Sequence, residues 1–228
     1  MAMNLYSVYT SCFAAAAMAC SVLILLNLFP WANDIGTIGL YKVHFSLGIT
    51  GWKFAYNCIN NGCPQPNHTE EGGYGDDACR WDFCEHCLLA TQKMTALSKA
   101  CIAFASVYCV LALGRAYFRL RDGFFGKLLG VFTSILILVT SVATWALWLD
   151  KCQNQFATMS YIVGNVRVVN IKPQLYYAFV LGVLGSTMAI LTAVAEAVRL
   201  SFSSAEASDM ERTEDVVYSL ALNIGGED

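Results

Sequence analysis

The segment LYKVHFSLGITGWKFAYNC, residues 40–58, decides how the chain is read. Tyr41, Val43, Phe45 and Leu47 alternate with Lys42, His44 and Ser46. That period of two predicts a half-buried β-strand. Thr50-Gly51 is turn-like, and Trp52 to Tyr56 is a second short run able to pair with the first. Both lie in a polar, cysteine-rich stretch, Ala32–Thr95, set between long apolar runs. A small sheet beside membrane-crossing helices is therefore expected.

The apolar runs follow from composition. The chain has 228 residues, of which 57% are hydrophobic and 14% charged, against about 25% charged in a soluble domain. The excess falls in four runs, each close to the ~20 residues that cross a bilayer. The expected spans are 9–31, 96–118, 127–149 and 175–198. They leave an N-terminal segment 1–8, a first loop 32–95, a connection 119–126, a second loop 150–174 and an acidic tail 199–228. The first charge is Asp34, so no basic n-region precedes the first run, which is expected to stay in place as a signal anchor. Arg115, Arg119, Arg121 and Lys127 cluster around the short connection, and Arg199 follows the fourth span. The positive-inside rule places both termini in the cytosol of a multi-pass plasma-membrane protein, with the two loops outside. The partners implied are the lipid bilayer and other membrane proteins. A net charge of −3 gives no reason to expect nucleic acid.

The spans themselves carry little chemistry. No histidine lies in them, which argues against a haem held between helices. No carboxylate sits at mid-membrane, which argues against a proton relay. Arg115 and Glu196 lie near the cytosolic ends of spans 2 and 4. They either snorkel to the interface or form an ion pair between the two helices. Gly182 and Ser186 make a small-xxx-small pair on span 4, a general packing device. Trp145 and Trp148 stand where an aromatic belt belongs. Thr133, Ser134, Thr140, Ser141 and Thr144 on span 3 are the best candidates to line a pore.

The chemistry-bearing residues gather outside. Cys58, Cys63, Cys79, Cys84 and Cys87 lie in the first loop, and Cys152 at the outer end of span 3 makes the number even. Six cysteines allow three disulfides in 15 connectivities, and a bridge to Cys152 would staple the two loops together. Cys12, Cys20, Cys101 and Cys109 lie within spans, where they serve as small apolar residues. Asn67-His68-Thr69 is an N-glycosylation acceptor in a Pro-, Gly- and acid-rich stretch, Pro64–Asp77, expected to be exposed and mobile. Cys84-Glu-His-Cys87 has the spacing of a redox pair, and its place at the lip of a four-helix protein resembles membrane disulfide oxidases and vitamin K epoxide reductases. Cys79-x4-Cys84-x2-Cys87 also has an iron–sulfur ligand spacing, but an outward face suits such a cluster poorly. Zinc on Cys84, His86 and Cys87 would be crowded. No catalytic residue, metal or cofactor is assigned. In the second loop, Tyr161–Ile171 reads as one or two strands turning at Gly164-Asn165, expected to join the first loop in a single sheet. The tail is expected to be disordered or one short helix.

Four spans, a large first outer loop, a smaller second one, and tryptophan followed by cysteine in loop 1 resemble the claudin-like tetraspan superfamily. That group includes claudins, calcium-channel γ-type subunits, fungal eisosome proteins and amastins. Trp31 closes span 1, and Trp52 precedes Cys58 with five residues between, the amastin spacing. Gly48 stands where amastins carry their first cysteine. The resemblance implies a four-transmembrane-helix bundle, an all-α membrane fold, with a small disulfide-stapled extracellular β-sheet from loops 1 and 2. It implies a non-enzymatic surface protein, with Trp52 packed at the base of the sheet. The expected function is protein–protein contact, in adhesion, at a junction or as an auxiliary subunit of a channel or receptor. An oligomeric pore and a thiol oxidoreductase using Cys84 and Cys87 are the alternatives.

Overall fold

The computed structural model describes residues 5–28, 30–38, 40–59, 67–76, 82–118, 124–154, 160–163, 166–169 and 174–224. Cys63, Cys79, Arg119, Arg121 and the Gly164-Asn165 turn lie outside them. Four helices form a ring-like bundle: α1 Leu5–Leu25, α2 Asp82–Phe118, α3 Phe124–Trp148 and α4 Tyr177–Ile224. Each packs on its two sequence neighbours, and α4 closes the ring against α1. All four are long and apolar enough to cross a membrane, so this is a multi-pass membrane protein.

The bundle interior is built from small residues. Ala14 and Ala17 on α1, Cys101, Ala105 and Ala112 on α2, and Ala189 on α4 surround Tyr108 and Ile137. Small side chains let backbones approach, which is the main source of attraction between helices in lipid. Gly185 shows how close: a Cβ there would lie 3.1 Å from the Cβ of Cys20. Bulky apolar residues such as Val110, Phe132, Val139, Val180 and Val194 point outward instead. A helix apolar on every face suits a lipid environment.

A five-stranded antiparallel sheet lies at one end of the bundle, between α1 and α2 in sequence. Its strands are β1 Ala32–Ile38, β2 Tyr41–Leu47, β3 Gly51–Cys58 and β4 His68–Gly73, joined by the short β7 Gln174–Leu175 that leads into α4. The order is β4-β3-β2-β1-β7. The register sets Phe45 opposite Phe54 and Leu47 opposite Trp52. Tyr41, Val43, Phe45 and Leu47 are all buried, as their alternation requires.

Several expectations change. α2 begins at Asp82, inside the stretch read above as loop, and has 37 residues. At 1.5 Å per residue that is about 55 Å, well beyond a ~30 Å hydrocarbon core. The extra turns bury Cys84, Cys87, Ala90 and Met94, an i, i+3, i+4 stripe, in the same core as the sheet. The stretch expected to be mobile contains β4, held by its ladder with β3, although its residues are exposed or half-buried. β5 Ser160–Val163 and β6 Val166–Val169 form a separate two-stranded sheet rather than joining the larger one; β7 makes that connection. Trp148 is fully buried and stacks on Trp31 at 5.4 Å between ring centroids, so it is a core residue and not part of a belt. α4 runs unbroken to Ile224, so the tail contains neither a coil nor a separate short helix up to that point.

Candidate functional site

The sheet-bearing end is assembled on α1, whose last turn is capped by Asn27. Asn27 has a positive φ of 51°, a conformation that asparagine tolerates better than most side chains. Its Oδ1 accepts the Ile49 N–H at 2.9 Å and its Nδ2 donates to the Thr50 hydroxyl at 2.9 Å. The helix cap thus fixes the β2–β3 turn. Gly48 is required beside it, since a Cβ would fall 2.5 Å from Asn27 Oδ1. Gly51 is required for the closeness of β3 to β4, where a Cβ would meet the Gly72 carbonyl oxygen at 2.2 Å. Tyr74 donates its hydroxyl to the Gly48 carbonyl at 2.9 Å, and burial pushes its phenol well above the ordinary tyrosine range.

Trp31 ties three elements together. Its backbone N–H donates to Leu47 O at 2.7 Å, its carbonyl accepts from Tyr176 N at 2.9 Å, and its indole lies on Trp148. Trp52 is buried at the membrane-proximal end of β3, opposite Leu47 and Gly72. The Cys87–Cys152 disulfide joins the upper part of α2 to the π-helical turn Leu149–Gln153 that continues α3. Cys58 and Cys84 are also disulfide-bonded. Cys84 and Cys87 therefore belong to different bridges, and both are buried. Cys12, Cys20, Cys101 and Cys109 are free thiols within helices.

The face of the sheet turned away from the core carries Lys42, His44, Lys53 and Glu71, with Ile35 beside His44. Ile35 is 57% exposed, and Leu40 (46%) and Ile59 (50%) stand exposed at the far tip. Asn67 is exposed next to that tip, and its Oδ1 accepts the Cys58 N–H at 2.8 Å.

A second cluster lies at the opposite end of the bundle. Arg115 Nη1 is 3.1 Å from Glu196 Oε1, and both side chains are buried, at 5% and 1% exposure. Tyr108 donates to the same carboxylate oxygen at 2.7 Å, Arg199 approaches it at 3.6 Å, and Arg115 Nη2 donates to the Gly126 carbonyl. Gly130 leaves the space for this pair, because a Cβ there would lie 2.8 Å from both Arg115 Nη2 and Glu196 Oε2. Tyr6 adds α1 by donating to the Ala195 carbonyl. All four helices thus meet at one polar knot.

The polar residues of α3 are spent locally. Thr133, Ser134, Thr140 and Thr144 donate to carbonyls three or four residues back. Ser141 bonds Ser186, which also accepts from Trp145 Nε1 at 3.0 Å. Among the described residues no group of three or more histidines, cysteines and carboxylates is placed to hold a metal ion. No known family's sequence profile matches the chain, and no curated protein does.

Proposed function

We propose that this is a four-pass surface membrane protein that works by protein–protein contact through its extracellular sheet, as an adhesion or junction component or as an auxiliary subunit of a channel or receptor complex. The observation that carries the reading is the way the sheet is held. The Asn27 cap, the Trp31–Trp148 stack and β7 fix it to the helices from three directions. A pre-organised surface loses little freedom on binding, which is what a recognition platform needs. Ile35, Leu40 and Ile59 offer apolar contact area among polar neighbours. The resemblance to claudin-like tetraspans agrees with a sheet placed between the first two helices and with Trp31 and Trp52 in its core.

The glycosylation acceptor at Asn67 and the disulfides support an extracellular sheet, with both termini in the cytosol. The alternatives find less support. A Cys84–Cys87 redox couple needs the two sulfurs to pair with each other, and Cys87 is bonded to Cys152. A pore needs outward- or lumen-facing polar groups, and the hydroxyls of α3 are buried against carbonyls.

The test is site-specific photo-crosslinking in cells, with the reactive residue at Ile35, Leu40 or, as a lipid-facing control, Val110. The expected result is the same discrete protein adduct from Ile35 and Leu40 and none from Val110. Well-delivered protein that gives lipid adducts alone from all three positions would sink the reading.

A further inference from the structure

Where the outward face of the sheet comes down to the bilayer it overhangs a notch of about 390 Å³. Asn27, Thr50, Trp52, Lys53 and Glu71 line it, with the backbone of Gly72. The notch sits at headgroup level: the apolar span of α1 ends at Leu25, and Asn27 is two residues further, about 3 Å along a helix axis. Lys53 Nζ and Glu71 Oε2 stand 2.9 Å apart on its rim, and both side chains are more than half exposed. An exposed pair of this kind contributes little to stability, so a ligand can separate it readily. The indole N–H of Trp52 is buried and finds no acceptor among the described residues.

We propose that this notch binds the headgroup of a zwitterionic phospholipid of the surrounding leaflet. The phosphate sits against Lys53, and the quaternary ammonium sits against Glu71. The charge pair selects the class. Glu71 repels a headgroup that is anionic alone, and Lys53 repels a cation alone, whereas a headgroup carrying both charges satisfies each. The site rests on the membrane placement of the helices and not on the adhesive reading of the sheet.

The experiment uses the full chain in nanodiscs of equal phosphatidylcholine and phosphatidylglycerol, released gently and weighed by native mass spectrometry. The expected result is one retained phosphatidylcholine per chain, favoured about fivefold over phosphatidylglycerol, the effect of one exposed ion pair between the quaternary ammonium and Glu71. Glu71→Lys should reverse that preference, because two lysines attract the anionic headgroup and repel the quaternary ammonium. The charge swap Lys53→Glu with Glu71→Lys should recover it, because both charges are again present. Closure of the disulfide of Cys58, at the end of β3, read in each variant by non-reduced mass mapping, reports that the sheet still folds. Equal retention of the two lipids by the wild type, or an unchanged phosphatidylcholine preference on Glu71→Lys, overturns the proposal. Soluble phosphocholine binding without any retained lipid would overturn the membrane as the source of the ligand.

Discussion

Replacing Glu196 by glutamine keeps the shape of the side chain and removes its charge. Tyr108 can still donate to the amide oxygen, so the perturbation falls on Arg115, which is 5% exposed and loses its counterion. Breaking a buried pair from one side typically costs about 3–5 kcal/mol. At about 2–4 °C per kcal/mol for a chain of this size, the melting temperature in detergent should fall by roughly 6–20 °C. Removing both charges should behave differently. Arg115→Met with Glu196→Leu, and with Arg199→Met and Tyr108→Phe so that neither the second guanidinium nor the hydroxyl is stranded, should lie within about 1–2 kcal/mol of the wild type, since apolar replacement of a buried pair is often neutral. Gly130→Ala gives an independent sign test. Helix propensity alone predicts a gain of about 1 kcal/mol, whereas the 2.8 Å approach of the new Cβ to both Arg115 and Glu196 predicts a loss. The assay is thermal unfolding followed by size-exclusion fluorescence. A shift under about 2 °C for Glu196→Gln, less than the ~6 °C minimum, would refute the reasoning, as would a combined apolar variant no better than the single one.

Cys152→Ser opens a bridge spanning 65 residues, for which loop entropy gives a loss of about 4 kcal/mol; the expected outcome is reduced surface delivery, read by cell-surface biotinylation. Trp31→Ala empties a fully buried site against Trp148 and should lower stability by about 3–5 kcal/mol, measured by the same thermal assay. Tyr74→Phe removes a buried hydroxyl bonded to Gly48 and should cost about 1 kcal/mol at neutral pH. Its pH effect has a definite sign. The folded phenol titrates above its ordinary value of 10.0, so the stability it contributes is complete below that pH and is lost as pH rises past it. The Tyr74→Phe variant should therefore decline less steeply than the wild type above about pH 10.

Much of this architecture was legible in the residues, and the failures have physical causes. The alternation from Tyr41 to Leu47 is unambiguous because one face is fully buried, and it gave strand, face and partner. The start of α2 was hidden because Cys84 and Cys87 draw the eye as loop cysteines; their spacing with Ala90 and Met94 is nevertheless helical. β4 was missed because Glu70, Glu71, Gly72 and Gly73 have poor strand propensity, and its ladder with β3 overrides that. Trp148 looks the same in sequence whether it faces lipid or a second tryptophan, and its stacking on Trp31 depends on two segments more than a hundred residues apart. The charges Arg115 and Glu196 could be named as candidates from their depth in the spans. That Gly130 makes room for them is a property of the third helix and carries no local signal.

The junction between the sheet and α4 has a mechanical consequence. β7 pairs with β1, and one residue later Tyr176 is hydrogen-bonded to Trp31 before the helix begins at Tyr177. From there 48 residues run without a break to Ile224, a rod of about 72 Å. A tilt of about 5° imposed at its upper end would swing the far end by about 4 Å, the stretch from Glu196 to Ile224 giving an arm of about 42 Å. The bundle then acts as a fulcrum, with the polar knot at Glu196 roughly where the lever crosses its pivot.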